Sequence, residues 1–259
     1  MDISGLKTRG KRLALATGLY RPARYISDRL TNRADLKKIV EEAAFYSTVL
    51  KPDSLCFDIG ANKGMKTLSL LKAGARVIAF EPQPRCAQEI SARCGKYGPK
   101  ITVCEKAMGS SEGTLTLHTD DFFNAYGSFY PDWEGGWNTE IPVEVTTLDS
   151  AIVEYGRPDY CKIDVEGWEF EVLSGLSEKI PLVSFEYHLS EREKATTRKC
   201  VERLSLLAGN KIELNVAPAE ATDLFLENWV SEDTFWNVFP AELEGRPGFD
   251  YGDIWVRCM

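Results

Sequence analysis

At 259 residues, with 44% apolar and 27% charged side chains, the chain is long enough to bury one substantial core and too short for two full domains. No apolar stretch approaches the ~18 residues of a membrane span, and 13–20 is too short and interrupted for a signal peptide, which points to a cytoplasmic protein. A net charge of −8 argues against a nucleic-acid partner.

The acidity is unevenly placed. Lys7, Arg9, Lys11, Arg12, Arg21, Arg24, Arg29, Arg33, Lys37 and Lys38 outnumber Asp2, Asp28 and Asp35 in the lead, so the remainder is strongly acidic. A basic lead suits peripheral contact with an anionic membrane at its inner face or with a polyanionic partner, and equally suits a solvated helical extension. Residues 34–50 read as a helix, with Leu36, Ile39, Val40, Ala43, Ala44 and Tyr46 near helical spacing and Pro52 stopping it. The expected division is a basic helical extension over 1–50 and one domain over 51–259.

From there strands and helices alternate: strand 55–59, helix 65–72, strand 76–80, helix 84–97 closed by Gly98-Pro99, strand 101–105. This rhythm implies parallel β-α-β units with right-handed crossovers. After Met108-Gly109 the pattern changes, and 114–119 and 143–147 alternate apolar and polar residues as a half-exposed antiparallel pair would. Between them lies a Gly- and aromatic-rich loop over 122–138, with Trp133 and Trp137, long enough to suggest a functional role. The parallel rhythm resumes with strand 160–165, helix 169–176, strand 182–187, helix 191–207, strand 211–216 and a last strand 253–258, giving seven core strands. Inserted loops fall at about 120–140 and 217–252. Trp229, Phe235, Trp236 and Phe239 in the second could line a sugar-stacking surface, although aromatic clusters at such spacing are more often core packing. The seven cysteines form no C-x-x-C pair and read as reduced core thiols, and two histidines argue against a Cys/His zinc site.

The first strand runs into Asp58-Ile59-Gly60-Ala61-Asn62-Lys63-Gly64, and Glu81 closes the second strand. Glycines in such a turn let backbone approach a ligand closely, and an acid at the end of the next strand can accept both hydroxyls of a ribose. The spacing is G-x-x-x-G rather than the G-x-G-x-x-G of dinucleotide sites, and an acid two positions ahead of the first glycine would repel a pyrophosphate. S-adenosylmethionine has the complementary chemistry: an adenosine, an ammonium, a sulfonium and no phosphate.

These pieces, together with Phe80-Glu81-Pro82-Gln83-Pro84, Ala107-Met108-Gly109 with Gly113, Val145-Thr146-Thr147-Leu148-Asp149, Lys162-Ile163-Asp164-Val165-Glu166-Gly167 and Phe185-Glu186-Tyr187-His188, resemble the FkbM-like S-adenosylmethionine-dependent methyltransferases. The resemblance runs from about Cys56 to His188 and leaves the first fifty residues and everything beyond His188 unconstrained. It implies an α/β fold of class I (Rossmann-like) methyltransferase type: a seven-stranded, mostly parallel sheet with an antiparallel last strand and helices on both faces. It further implies methyl transfer, in many relatives to oxygen on sugars, glycolipids or polyketide-like products.

Cofactor contacts are expected from Asp58, Gly60, Asn62 and Gly64 around the methionine end, Glu81 on the ribose, and Lys106 and Ala107 beside the adenine; Lys63 points to the same turn without an assigned role. For catalysis, Asp164 and Glu166 end a strand on the cofactor side of the sheet, two apart and so able to share a face, and His188 ends the next strand. A histidine there is suited to take an acceptor proton near neutral pH. Asp164, Glu166 and Glu186 could instead offer oxygen ligands to Mg²⁺, but no dense acidic motif supports that and no metal is expected. The expected activity is O-methylation of a hydroxyl on a sugar, glycan, glycolipid or related small metabolite. The alternatives are a nicotinamide-dependent oxidoreductase, disfavoured by the missing fingerprint, and a non-catalytic cofactor-binding module. Nothing in the sequence sets the acceptor, the position methylated or the oligomeric state.

Overall fold

The computed structural model describes residues 20–119, 127–131, 139–219, 221, 223–239 and 249–259. Helix α1 (Tyr20–Val49) leads into β1 (Leu55–Ile59), α2 (Met65–Lys72), β2 (Arg76–Phe80), α3 (Pro84–Cys94) and β3 (Ile101–Cys104). Four short or exposed strands follow, β4 (Ala107–Met108), β5 (Gly113–Thr119), β6 (Gly127–Ser128) and β7 (Thr139–Thr146). The second half runs α4 (Leu148–Tyr155), β8 (Tyr160–Ile163), α5 (Glu169–Ser174), β9 (Leu182–His188), α6 (Glu191–Leu207), β10 (Ile212–Pro218), β11 (Val230–Ser231), α7 (Glu232–Val238) and β12 (Tyr251–Cys258).

The main sheet has the order β11-β10-β12-β9-β8-β1-β2-β3. From β3 to β9 the neighbours are parallel, and β12 runs antiparallel to both β9 and β10. Seven strands were expected and eight are present among the described residues, because Val230–Ser231 of the second insertion adds an antiparallel edge to β10. The strand order reverses between β1 and β8, and open α/β sheets bind ligands in the crevice at the carboxyl ends beside such a reversal.

Both faces of the sheet are covered, which is why β1 and β8 are buried at every residue. Phe57, Ile59, Ile163 and Phe185 pack with Leu148, Leu173, Leu204 and Phe235 of α4 to α7. Cys56, Tyr160 and Trp255 point the other way, against Ile39 and Tyr46 of α1, Leu70 of α2 and Ile90 of α3. Within the expected extension, then, the second half of α1 is core: Tyr46 lies against Tyr160 and Trp255, whose rings stack 5.1 Å apart at 4°. The basic side chains of the lead up to Arg33 lie outside the residues whose side chains the structure describes.

The antiparallel pair emerges as expected, β5 on β7, completed by β4 and β6 into a second sheet with a small core of Ala107, Leu117, Val143 and Val145. Other boundaries move for local reasons. The helix expected over 84–97 ends at Cys94 and tightens into a short turn in which Gly98 takes φ 57° ahead of Pro99. The strand expected over 160–165 stops at Ile163, because Glu166 and Gly167 take φ 53° and 93°. Helices α4 and α7 lie where none was anticipated, each started by a hydroxyl accepting from the backbone three residues on: Thr147 from Ser150 and Ser231 from Thr234. Phe235 and Phe239 are core residues, and Arg198 and Arg257 lie over the rings of Trp236 and Trp229, so this aromatic group packs rather than offering an open stacking surface. Of the 122–138 loop only 127–131 is described, and Trp133 and Trp137 lie outside it.

Candidate active site

A cavity of about 440 Å³ opens at the carboxyl ends of β1, β2, β8 and β9, with the second sheet as its far wall. Asp58, Gly60, Asn62, Glu81, Lys106, Ala107, Asp164 and Glu166 all line it. Gly64 and His188 do not. Gly64 takes φ 74° as the residue that turns the chain into α2, and a Cβ there would press on Ile90, so its constraint is packing under the turn.

The turn after β1 is tightly specified. Gly60 sits at φ 74°, and a Cβ on it would lie 1.9 Å from the carbonyl oxygen of Asp164, so the cofactor turn and the acidic loop meet backbone to backbone. Asn62, at φ 50°, donates its backbone N–H to Glu81 Oε2 at 2.7 Å, and Gln83 N–H donates to Oε1 at 2.9 Å. Glu81 is thereby fixed at the mouth of the crevice with one lone pair per oxygen remaining. Burial pushes its carboxyl up to about 7, while those two N–H groups pull the other way. Gln83 is itself held by the Thr119 hydroxyl, which donates to its Oε1 at 3.1 Å. Apolar Met108, Leu117 and Phe129 complete the wall beside Ala107.

Asp58 is fully buried. Thr67 Oγ1 donates to its Oδ2 at 2.5 Å, whereas Oδ1 accepts no hydrogen bond among the described residues. Burial raises this carboxyl, and the Lys162 ammonium opposes the shift. A buried acceptor without a donor, facing a cavity, is an opening for a cationic ligand group.

Lys162 is the charge that sequence reasoning passed over. It is 2% exposed on a strand whose other residues are Tyr160, Cys161 and Ile163, and its Nζ donates to Asp164 Oδ2 at 2.6 Å. Burial disfavours its charge, but Asp164, Asp58 and Asp253 outweigh that and hold the ammonium above the ordinary lysine value. A lysine on an otherwise apolar strand, two positions before an acid, was the available signal.

Asp164 and Glu166 come together, but through the turn rather than the strand pleat, since β8 has already ended. Two contacts shape that turn. Ser128 Oγ donates to the Glu166 carbonyl at 2.8 Å, and Glu169 Oε1 accepts from Val165 and Gly167 N–H at 3.0 and 3.3 Å. Glu169 is buried, which pushes its carboxyl up to about 8, with Glu186 adding to the effect. The β8 to β9 register, Ile163 beside Phe185, then places Glu186 next to Asp164. Asp164, Glu166 and Glu186 each offer an oxygen within 4.8 Å of the others'. Burial raises the Glu186 carboxyl well above the ordinary range, and Asp164, Glu166 and Asp253 add to it. His188 stands behind: its Nε2 is 3.3 Å from Glu186 Oε2, and its ring stacks on Tyr251, which lines the cavity.

The sheet order, with its antiparallel strand inserted at β12, and a cavity at the strand reversal beside a glycine turn are those of a class I methyltransferase fold. Residues 58–230 match the methyltransferase FkbM domain, and the chain belongs to that family. It is similar to the AMB antimetabolite synthetase AmbE of Pseudomonas aeruginosa, 27% identical over 68% of this chain and 10% of the synthetase. It is also similar to the hexuronic acid methyltransferase AglP of Haloferax volcanii, 25% identical over 63% of this chain and 65% of AglP. The chain thus spans less than two thirds of either relative's length. Among solved structures it resembles a TehB-like SAM-dependent methyltransferase from Corynebacterium glutamicum, with 11% identity, coverage of 92% and 99%, and a TM-score of 0.45.

The cofactor is S-adenosylmethionine, and the residues present fit it. The orphaned Asp58 Oδ1 suits an ammonium, the fixed Glu81 oxygens suit a ribose diol, and the Ala107, Met108, Leu117 and Phe129 wall suits a base. Membership of a methyltransferase family sets the nicotinamide reading aside. No helix among the described residues is long and apolar enough to cross a membrane.

Proposed function

We propose that the protein methylates a hydroxyl oxygen on a sugar, glycan, glycolipid or related small hydroxylated metabolite. The observation that carries this reading is the crowding of Asp164, Glu166 and Glu186 within 4.8 Å on the wall of the cofactor cavity. A hydroxyl acceptor must lose its proton as its oxygen is alkylated, and three neighbouring carboxylates resist full ionisation, so one of them is a competent base near neutral pH. Glu186 fits that role because its side chain, 16% exposed on the cavity wall, is more enclosed than that of Asp164 at 35%, and burial with two neighbouring acids raises its carboxyl. Asp164, anchored by Lys162, and Glu166, anchored through its carbonyl by Ser128, orient the acceptor. His188 receives the proton from Glu186 and passes it outward. The bound cofactor supplies a methyl group on a positively charged sulfur. AglP, which is named for a hexuronic acid, supports a sugar as acceptor.

The test is incubation with methyl-labelled S-adenosylmethionine and fractionated cell extract, followed by identification of the labelled product. Label on a sugar or metabolite oxygen is expected, and label only on nitrogen, carbon or protein would overturn the acceptor class. Loss of turnover in a chelator with recovery on adding Mg²⁺ would show the three carboxylates holding a metal, and would replace Glu186 as the base.

A further inference from the structure

The wall of the cavity between α1 and α2 carries charge used by neither the ribose end nor the acid cluster. Lys66, the second residue of α2, lines the cavity and donates from Nζ to Glu42 Oε1 of α1 at 2.7 Å. The Glu42 side chain is 5% exposed and that of Lys66 28%. Ser69 Oγ donates to the second Glu42 oxygen, also at 2.7 Å, so the carboxylate is clamped at both ends and the ammonium retains donors toward the opening. Lys38, one helical turn before Glu42, lines the same wall. The next residue of α2, Thr67, holds Asp58, whose other oxygen lacks a donor.

An amino-acid ligand presents its ammonium and carboxylate on one carbon. If the ammonium meets Asp58, the carboxylate falls beside Asp58 as well, and without a cation there two carboxylates would face each other in a half-closed cavity. Lys162 stands in the acid cluster, on Asp164 at 2.6 Å, and Lys106 at the ribose end, on Glu144 at 2.5 Å; Lys63 also lines the cavity, from the turn itself, so position rather than want of a partner singles out Lys66. Lys66 is the lysine adjacent to the residue that fixes Asp58.

Resting on the S-adenosylmethionine assignment, we propose that Lys66, assisted by Lys38, binds the α-carboxylate of the cofactor's methionine part, and that buried Glu42 positions the Lys66 ammonium for it. Helix α1 is then a wall of the cofactor site rather than an appendage to it. Glu42 acts through Lys66 and is a positioning residue.

The experiment compares, by calorimetry on the full chain, S-adenosylhomocysteine with 5′-methylthioadenosine, which shares the adenosine and sulfur but has no amino-acid part. Lys66→Met should weaken S-adenosylhomocysteine at least tenfold and leave 5′-methylthioadenosine within about twofold. Because that change strands a buried carboxylate, the double variant Lys66→Met/Glu42→Gln, which removes both charges, should give the same selective loss. Lys38→Met, with the pair intact, should give a smaller loss of the same selectivity. Equal weakening of both ligands would make Lys66 a structural residue only and overturn the proposal, as would unchanged affinity for both. Wild-type protein that binds 5′-methylthioadenosine but not S-adenosylhomocysteine would overturn the subsite alone, whereas wild type that binds neither would defeat the cofactor assignment and the proposal with it.

Discussion

The two sides of the cavity are built by opposite means. On the β1 to β2 side, the glutamate at the mouth is fixed by near backbone, the N–H groups of Asn62 and Gln83, and Gly60 has no room for a side chain. On the β8 to β9 side, three carboxylates are pressed together against their own repulsion, with Lys162 beneath them and Glu169 holding the turn. The first arrangement recognises a constant ligand and can be rigid. The second stores unfavourable charge that binding a proton relieves, and such perturbed groups mark candidate sites of chemistry.

The sharpest way to break the contrast is to spoil the one point where the sides touch. Gly60→Ala would combine an unfavourable φ with a Cβ inside the Asp164 carbonyl, and should cost roughly 4 kcal/mol or prevent folding, read by denaturant unfolding together with loss of S-adenosylhomocysteine binding. If this variant folds and binds normally, the turn is not rigid. On the acidic side, Glu186→Gln should lower turnover by ~10²–10⁴-fold with cofactor affinity nearly unchanged, while His188→Ala should cost less, since His188 lies behind the cavity. Because burial raises the Glu186 carboxyl, the wild-type rate should climb with pH as that group ionises. A His188→Ala variant slower than Glu186→Gln would reverse the two roles.

Glu169 tests the stored charge without touching the ligand. Its folded-state value of about 8 lies above the 4.5 of a free glutamate, so it lowers stability as pH rises from about 4.5 to 8. Glu169→Gln keeps the single oxygen that accepts from Val165 and Gly167. It should therefore be more stable than wild type at pH 8 by about 2–4 kcal/mol, an advantage that vanishes near pH 4.5; no gain at pH 8 would mean the acid is not strained there. The smallest effect belongs to the rigid side. With Glu81 at about 7, binding of 5′-methylthioadenosine, which has a ribose but no amino group, should tighten as pH rises and level off above about 7. The change is at most ~10-fold per pH unit on the acid side, and Glu81→Ala should abolish it. A flat profile in wild type would remove Glu81 from the ribose.

The contrast also explains what could be read from the chain. Asp58, Gly60 and Glu81 were legible because a backbone turn imposes residue types at short spacing. The β5 and β7 pair was legible from alternation. Glu186 was weighed only as an alternative metal ligand and given no catalytic role, because its place depends on β9 lying in register beside β8, a long-range pairing that local pattern does not state. Asp164 and Glu166 were named for the wrong local reason, since positive φ at Glu166 rather than strand alternation turns them together. Lys66 escaped notice because its meaning lies in Glu42, 24 residues earlier on α1. Helix α4 was missed because the alternating stretch 143–147 reads as strand up to the start of the helix, where Thr147 went unrecognised as its cap.

The stacking of Tyr160 on Trp255, with Phe45 and Tyr46 closed over that pair, has a bearing on assembly. Tyr46 and Trp255 stand about two hundred residues apart in sequence, and β12 slots between β9 and β10 in the sheet. The docking surface of α1 therefore exists only once β12, so much further along the chain, has joined the sheet. Contacts of such sequence separation form late and slowly. The cavity wall to which Lys38 of α1 contributes would accordingly mature late, after β12 has found its place between β9 and β10.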